Sequence, residues 1–190
     1  MKIDRLPVGM LATNCYIVSD DAGRCAVIDP GDEPDRIVDF LDDNGLRCEK
    51  ILLTHGHFDH IGGLESLKKA TGAPLVMHAG DRPMVKSTPD ILCADGQIIE
   101  AGDLRFEVIE TPGHTPGGVC YKCGGALFSG DTLFRDSVGR TDFEGGSFET
   151  LRRSLAKLCA LPDADLKVYP GHMGTTSLAY ERENNPFIQR

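Results

Sequence analysis

The chain has 190 residues and a formal net charge of −9, from 29 acidic and 20 basic side chains. Its length suits one globular domain over residues 1–190, and its hydrophobic and charged fractions of 41% and 26% exclude disordered and fibrous proteins. The acidic excess lacks a basic stripe and the apolar runs are short, so nucleic-acid binding and membrane insertion are not expected. The N-terminus lacks the apolar segment of a secretory signal, so we expect a cytoplasmic protein.

Strands and helices alternate in the first half of the chain. Two β-branched runs separated by Asp-Asp-Ala-Gly predict a hairpin, and Pro34 is placed to begin an amphipathic helix that Asn44-Gly45 ends. The predicted elements are strands at 15–18 and 25–28, a helix from Pro34 through Leu41, a strand at 50–53, a helix from Leu64 to Thr71 and a strand at 74–77.

The second half repeats this alternation. Apolar residues at helical spacing between Phe148 and Leu158 predict a helix, and Gly or Asp-Gly pairs bound the short strands. The predicted elements are strands at 97–100, 106–109, 119–122 and 126–128, a helix at 148–158, a strand at 167–169 and a helix at 178–183. Glycines beside histidines and aspartates follow several strands, which indicates a site assembled from loops at strand ends.

The strongest functional signal is a cluster of histidines directly after the strand at 50–53. The segment His55-Gly56-His57-Phe58-Asp59-His60 has the pattern H-x-H-x-D-H, expected by chance about once in two thousand chains of this composition. On a helix the first two histidines would point apart, so this spacing predicts a turn on which three imidazoles and a carboxylate converge on a metal.

Three later turns present one ligand-type residue each beside a glycine, and each follows a short apolar strand. They use His114, Asp131 and His172, so together with the first motif they account for five of the six histidines. The remaining one, His78, ends a strand without the glycine setting and is predicted to be structural or exposed. The three turns are Thr111-Pro112-Gly113-His114, Ser129-Gly130-Asp131-Thr132 and Tyr169-Pro170-Gly171-His172.

Five histidines and two aspartates exceed the ligands of one ion and suit two divalent ions that share a carboxylate. A cysteine-free set rich in nitrogen fits zinc, iron or manganese, and we expect zinc, with iron or manganese as alternatives. The predicted partition places His55, His57 and His114 on one ion, Asp59, His60 and His172 on the other, and Asp131 as the bridge.

These motifs together resemble the metallo-β-lactamase fold superfamily, over the whole chain. The segments Ser-Val-Gly-Arg-Thr-Asp (137–142) and Thr-Pro-Gly-His-Thr-Pro-Gly (111–117) resemble its glyoxalase II-like branch, the hydroxyacylglutathione hydrolase-like enzymes. The resemblance implies an α/β fold, a four-layer αββα sandwich with the metals at one edge of two sheets. It also implies that Asp29 braces a histidine ligand. The chain ends at Arg190, so the C-terminal helical domain of full-length glyoxalase II, with its glutathione-binding residues, is not expected.

The expected reaction is hydrolysis of a small anionic acyl thioester, of the S-D-lactoylglutathione type, by a metal-bridging hydroxide. Metal binding brings the pKa of water from 15.7 to about 7, and Asp59 is the expected proton acceptor. A thiolate leaving group needs little acid assistance, whereas an amine would need a general acid that the sequence does not offer. Two alternatives stay open: a mono-iron glutathione persulfide dioxygenase using His55, His114 and Asp131, and hydrolysis of a lactone, phosphoester or β-lactam.

Two further features have alternative interpretations. Arg135 and Arg140 follow the predicted bridging aspartate and could hold a substrate carboxylate, or could pair with Asp136 or Asp142, the latter role being favoured for Arg140. The only C-x-x-C, at 120–123, is predicted to consist of buried or half-buried strand thiols rather than a metal or redox motif. The sequence gives no oligomeric state.

Overall fold

The structure, a computed structural model, describes residues 1–162 and 165–188. The N-terminal half forms a six-stranded sheet in which the strands follow one another in chain order. The first three strands pair antiparallel and the last four pair parallel. The strands are β1 (Lys2–Val8), β2 (Thr13–Ser19), β3 (Arg24–Ile28), β4 (Arg47–Leu52), β5 (Leu75–His78) and β6 (Ile91–Cys93).

The C-terminal half forms a second six-stranded sheet. Its strands are β7 (Ile98–Ala101), β8 (Leu104–Glu110), β9 (Val119–Cys123), β10 (Ala126–Gly130), β13 (Lys167–Pro170) and β14 (Thr176–Ser177). The first four form an antiparallel meander, β10 pairs parallel with β13, and β13 pairs antiparallel with β14. A small hairpin, β11 (Leu133–Phe134) and β12 (Ser137–Val138), lies between β10 and β13 in the chain.

Helices follow the strands along the chain. They are α1 (Pro34–Asp43), α2 (Phe58–Ile61), α3 (Leu64–Thr71), a 3-10 helix (Ala79–Met84), α4 (Phe148–Cys159) and α5 (Leu178–Asn184). Within residues 1–162 and 165–188, none of them has the length and apolar character required to cross a membrane. The predicted strands and helices are all present, whereas β1, β6, β11, β12, β14, α2 and the 3-10 helix were not predicted.

Within each sheet, side chains alternate between the core that lies between the two sheets and a core beneath the helices, because successive residues of a strand point to opposite faces. In β2, Tyr16 and Val18 face the second sheet, whereas Cys15 and Ile17 face α1 and α3. In the second sheet, Leu127 of β10 faces the opposite way and packs with α4 and α5. The layers are therefore helix, sheet, sheet and helix, and the predicted αββα sandwich is confirmed.

Four aromatic rings fill the space between the two sheets. The Phe128 ring centroid lies 5.4 Å from that of Tyr16, 5.3 Å from that of Tyr169 and 6.4 Å from that of Phe106. Because rings of this size dominate the apolar area a core buries, this cluster holds the two sheets together. The thiols of the C-x-x-C are confirmed as buried residues of β9, and they lie in different cores.

Replacing Phe128 with Ala should destabilise the fold by about 3–5 kcal/mol, because it empties the centre of the inter-sheet core. Urea unfolding monitored by circular dichroism measures the change. The matched control is Phe148→Ala on α4, where the ring is 46% exposed and should cost far less. Equal destabilisation by the two substitutions would contradict this description of the core.

Candidate metal centre

The predicted site residues lie at one edge of the sandwich. Because β3 and β4 run parallel, as do β10 and β13, their C-terminal ends come together there. Asp29 follows β3, the histidine segment follows β4, Asp131 follows β10 and His172 follows β13. His114 lies in the loop that leaves β8, which runs in the same direction as β10 because both pair antiparallel with β9.

The two sheets approach closely at this edge. The Val119 amide donates a hydrogen bond to the Thr54 carbonyl (2.8 Å), which joins the sheets directly below the site. Gly130 has a φ of +47°, and a Cβ atom there would lie 2.3 Å from the hydroxyl oxygen of Thr54. Only glycine fits both the left-handed backbone and this contact. The glycine before Asp131 therefore lets the two ligand-bearing strand ends meet.

The histidine segment differs in one respect from the predicted turn. Residues 54–57 are irregular, as expected, but Asp59 and His60 lie on the four-residue helix α2. The change from extended backbone at His57 to helix at Phe58 turns the chain, so that the side chains before and after it converge from different directions.

The side chains form two clusters, in which candidate ligand atoms all lie within 4.8 Å of one another. The first is formed by His55, His57 and His114, and the second by Asp59, His60 and His172. This grouping is the one that the sequence predicts. We call them the three-histidine cluster and the mixed cluster. A third group, Asp29, His55 and His60, meets the same distance limit and shares one histidine with each cluster.

Asp131 lies between the two clusters and is 11% exposed. Its Oδ2 atom is 3.5 Å from Nε2 of His114, and its Oδ1 atom is 3.4 Å from Nε2 of His60. Its Oδ2 atom also lies 3.6 Å from Nε2 of His172. Its carboxylate thus approaches one histidine of the three-histidine cluster and both histidines of the mixed cluster. This is the position that a bridging ligand requires.

The histidines are oriented by hydrogen bonds at the ring nitrogen that faces away from the centre. Nδ1 of His60 lies 3.0 Å from Asp29 Oδ2, and that aspartate also accepts hydrogen bonds from the amide and hydroxyl of Thr54. Nδ1 of His114 lies 2.7 Å from the Arg140 carbonyl oxygen, so it carries the proton. In both rings Nε2 is left facing the centre, as metal-binding histidines require. The predicted contact of Asp29 with a candidate ligand is present.

Several buried polar atoms face the centre without a partner. Among the described residues, Nε2 of His55, Nε2 of His60 and Oδ1 of Asp131 are buried and make no hydrogen bond. Nδ1 of His57 and Nε2 of His114 face each other at 2.8 Å. Buried polar groups are almost always paired, so unpaired nitrogen and oxygen atoms converging on one point fit divalent transition-metal ions.

The electrostatics of the metal-free protein differ between the clusters. Burial lowers the pKa of His55 well below its usual value, which leaves a neutral imidazole. Burial would also lower the pKa of His60, but Asp131 and Asp29 outweigh it and raise that pKa. The hydrogen bond to Asp59 (3.1 Å) raises the pKa of His172. Metal binding at the mixed cluster therefore displaces protons.

The two arginines are engaged with protein groups. Arg140 donates two hydrogen bonds to Asp142, at 2.7 and 2.6 Å, and its guanidinium lies 3.9 Å from the Phe143 ring centroid. Arg135 lies near Asp136 (3.7 Å) and over Tyr180. The expected salt bridge of Arg140 to Asp142 is present, and the main-chain oxygen of Arg140 holds His114. These contacts do not direct either guanidinium group towards the metal centre.

His78 is confirmed as structural, because Nδ1 accepts a hydrogen bond from the Gly80 amide and caps the 3-10 helix. Two contacts were not predicted from the sequence. The Thr13 hydroxyl donates to Asp59 Oδ2 (3.0 Å), and the Asn14 side-chain amide donates to the carbonyls of Pro170 and Met173, which flank His172. Neither residue lies in a recognisable motif.

The metallo-beta-lactamase superfamily model matches residues 8–172, and the chain belongs to that superfamily. The "Probable metallo-hydrolase YqgX" of Bacillus subtilis is 36% identical, over 99% of this chain and 98% of that protein. The "Hydroxyacylglutathione hydrolase GloC" of Haemophilus influenzae is 34% identical, over 99% of this chain and 98% of that protein. With the histidine and aspartate clusters, these relatives identify the chain as a metal-dependent hydrolase of the superfamily.

Solved structures agree with this assignment. BLEG-1, a B3 metallo-beta-lactamase, superposes with a TM-score of 0.95 at 31% identity and full coverage of both chains. TTHA1623 in a di-iron-bound form gives 0.88 at 36% identity, over 97% of this chain and 99% of that one. ETHE1 from Myxococcus xanthus gives 0.92 at 31% identity, over 100% of this chain and 86% of that one.

The pair formed by Asp59 and His172 should stabilise the metal-free protein only within a window of pH. The pKa of Asp59 is held below its usual value of 3.8, because contacts with His172 and His60 outweigh its burial. The ionised Asp59 carboxylate therefore stabilises the folded protein above about pH 4, and this stabilisation is lost as the pH falls. The pKa of His172 is raised above 6.5, so its stabilisation is present below that value and is lost at higher pH.

We predict that Asp59→Asn lowers the melting temperature of the chelator-treated protein more at about pH 5.5 than at about pH 8.5. Differential scanning fluorimetry at both pH values measures the difference. Asp42→Asn, on the exposed face of α1, is the control and should show no such dependence. If Asp59→Asn lowers the melting temperature by the same amount at both pH values, the pair of Asp59 and His172 is not formed.

Proposed function

We propose that the protein hydrolyses small acyl thioesters, of the hydroxyacylglutathione type, at a dinuclear metal centre. The observation that supports this most directly is the pair of clusters that converge on Asp131. A single-ion centre would need only one of them. The name of the Haemophilus relative supports the substrate class, and the di-iron form of TTHA1623 supports a two-ion centre.

In this proposal the three-histidine cluster would hold one ion, the mixed cluster would hold the other, and Asp131 would contact both. When bound, such a pair of ions lowers the pKa of water towards 7 and polarises an acyl carbonyl. We expect zinc, with iron or manganese as alternatives, because imidazole and carboxylate suit all three. Two divalent ions outweigh the charges of Asp59 and Asp131, so the centre attracts an anionic substrate although the whole chain is acidic.

Asp59 is the residue placed to accept a proton during the reaction. Its Oδ2 atom is held by the Thr13 hydroxyl and by Nε2 of His172, which fixes the carboxylate at the mixed cluster. In the metal-free protein it is ionised at neutral pH, which is the form that accepts a proton. Proton transfer needs such a fixed acceptor close to the reacting oxygen.

The leaving group decides between thioester and amide chemistry. The other described side chains at the centre include the hydroxyls of Thr13 and Thr54 and the rings of Phe134 and Phe143. None of these supplies an acid at neutral pH. A thiolate leaves without one because its parent thiol has a pKa of about 8.5, whereas an amine does not. The same argument counts against a β-lactam, whose leaving group is an amine. It is the second candidate only because of the similarity to BLEG-1.

Protein purified without chelator should contain two transition-metal ions per chain. His114→Ala should empty mainly one position, whereas Asp131→Ala should lower the occupancy of both and abolish turnover, because Asp131 approaches both clusters. Inductively coupled plasma mass spectrometry measures the content. Full metal content in Asp131→Ala would contradict the bridge. A reproducible single iron per chain would favour the mono-iron persulfide dioxygenase instead.

A parallel assay of metal-replete protein should show hydrolysis of S-D-lactoylglutathione. The comparison measures thioester loss, oxygen uptake with glutathione persulfide, and turnover of a chromogenic β-lactam, a lactone and a phosphodiester. Asp59→Asn is the matched variant, since it removes the proton acceptor and keeps its size. Oxygen uptake without thioester loss, or turnover of the β-lactam alone, would overturn the thioester proposal.

A further inference from the structure

A second buried carboxylate lies beneath the metal centre and is not one of its candidate ligands. Asp81 belongs to the 3-10 helix that follows β5, and it is 1% exposed. An ionised carboxylate at such a position needs strong hydrogen bonds, because burial removes its hydration. Its partners therefore indicate what it holds in place.

Asp81 accepts three hydrogen bonds from two separate loops. Oδ2 accepts from the Gly56 amide (2.9 Å) and from the Thr115 hydroxyl (2.7 Å). Oδ1 accepts from the Gly117 amide (2.6 Å). The partners are 25, 34 and 36 residues away in sequence, so the carboxylate joins segments that the chain does not otherwise place together.

These two loops carry all of the three-histidine cluster. Gly56 lies between His55 and His57, and Thr115 directly follows His114. The Asp81 carboxylate therefore holds the main chain between His55 and His57, and it holds the loop of His114 through the Thr115 hydroxyl and the Gly117 amide. Its hydrogen bonds reach no residue adjacent to Asp59, His60 or His172.

The contact is tight as well as specific. A Cβ atom at position 117 would lie 2.4 Å from the Asp81 nitrogen and 2.8 Å from its Oδ1 atom. Glycine is thus needed for the loop to reach the carboxylate. The close approach leaves little freedom in the distance between the two loops, and Nδ1 of His57 and Nε2 of His114 face each other across it at 2.8 Å.

We infer that Asp81 is a positioning residue that sets the separation of these two loops and thereby the metal affinity of the three-histidine cluster alone. The inference rests on the two-ion centre proposed above. An asparagine would be nearly isosteric, but its NH2 group would face an N–H donor of Gly56 or Gly117 in either orientation. The loops would then shift apart, and a ligand geometry that is off by a fraction of an ångström binds metal more weakly.

Zinc titration of the chelator-stripped protein against a chromophoric chelator tests this cluster by cluster. In a His172→Ala background only the three-histidine cluster is complete, and adding Asp81→Asn should lower its zinc affinity by about 10- to 100-fold. In a His114→Ala background only the mixed cluster is complete. There Asp81→Asn should change the zinc affinity by less than about threefold, well below the 10- to 100-fold loss expected for the three-histidine cluster.

Two further substitutions control for folding and for the loss of a carboxylate. Thr115→Val removes one hydrogen bond and keeps the volume, so it should weaken zinc binding in the same background by a smaller factor, whereas Thr115→Ser should restore it. Asp90→Asn removes a carboxylate that accepts from the Leu75 amide on the first sheet, and should leave both affinities unchanged. If Asp81→Asn fails to fold, Thr115→Val against Thr115→Ser decides.

Equal weakening in both backgrounds, or no weakening in either, would overturn the inference while leaving the two-ion centre in place. If the unsubstituted protein binds none of zinc, iron and manganese, the proposed function fails, and the inference fails with it. A second readout does not depend on metal. Asp81→Asn should move the imidazole ¹⁵N resonances of His57 and His114 in the metal-free protein more than those of His60 and His172.

Discussion

The structure is organised around buried nitrogen and oxygen atoms that make no hydrogen bond within the protein. Nε2 of His55, Nε2 of His60 and Oδ1 of Asp131 are buried and face the centre without a hydrogen bond among the described residues. Each such atom costs about 1–3 kcal/mol when no partner is supplied. A fold that collects several of them at one point is stabilised by whatever ligand pairs with them. Divalent metal ions fit this donor set and would pair with all of these atoms at once.

The sandwich supplies these atoms because of its topology. Parallel pairing within each sheet brings strand ends to one edge, and the Val119–Thr54 hydrogen bond joins the two sheets there. Carboxylates and carbonyls beneath the edge then orient the rings, since Asp29 holds His60 and the Arg140 carbonyl holds His114. The edge that carries the candidate ligands is thus built from loops and the short helix α2. These segments are fixed by the rigid core on one side and by buried hydrogen bonds on the other.

Much of this could be predicted from the sequence because the signals are local. The histidine segment, the glycine turns and the helical spacing of α4 each lie within a dozen residues, and the number of ions followed from counting ligands. Strand β1 was missed because it is an edge strand with few apolar residues and a proline at position 7. Asp81 could not be recognised, since its importance depends on contacts 25 to 36 residues away. The contact of the Arg140 carbonyl with His114 could not be predicted either, because a main-chain contact leaves no trace in the residue type.

The central claim is that the two clusters hold one ion each and that Asp131 lies between them. Anomalous X-ray scattering at the zinc absorption edge, from crystals of the zinc-loaded protein, tests this most directly. The account predicts two peaks, one bounded by His55, His57 and His114 and the other by Asp59, His60 and His172, with the Asp131 carboxylate in contact with both. A single peak, or a second peak outside these residues, would contradict it.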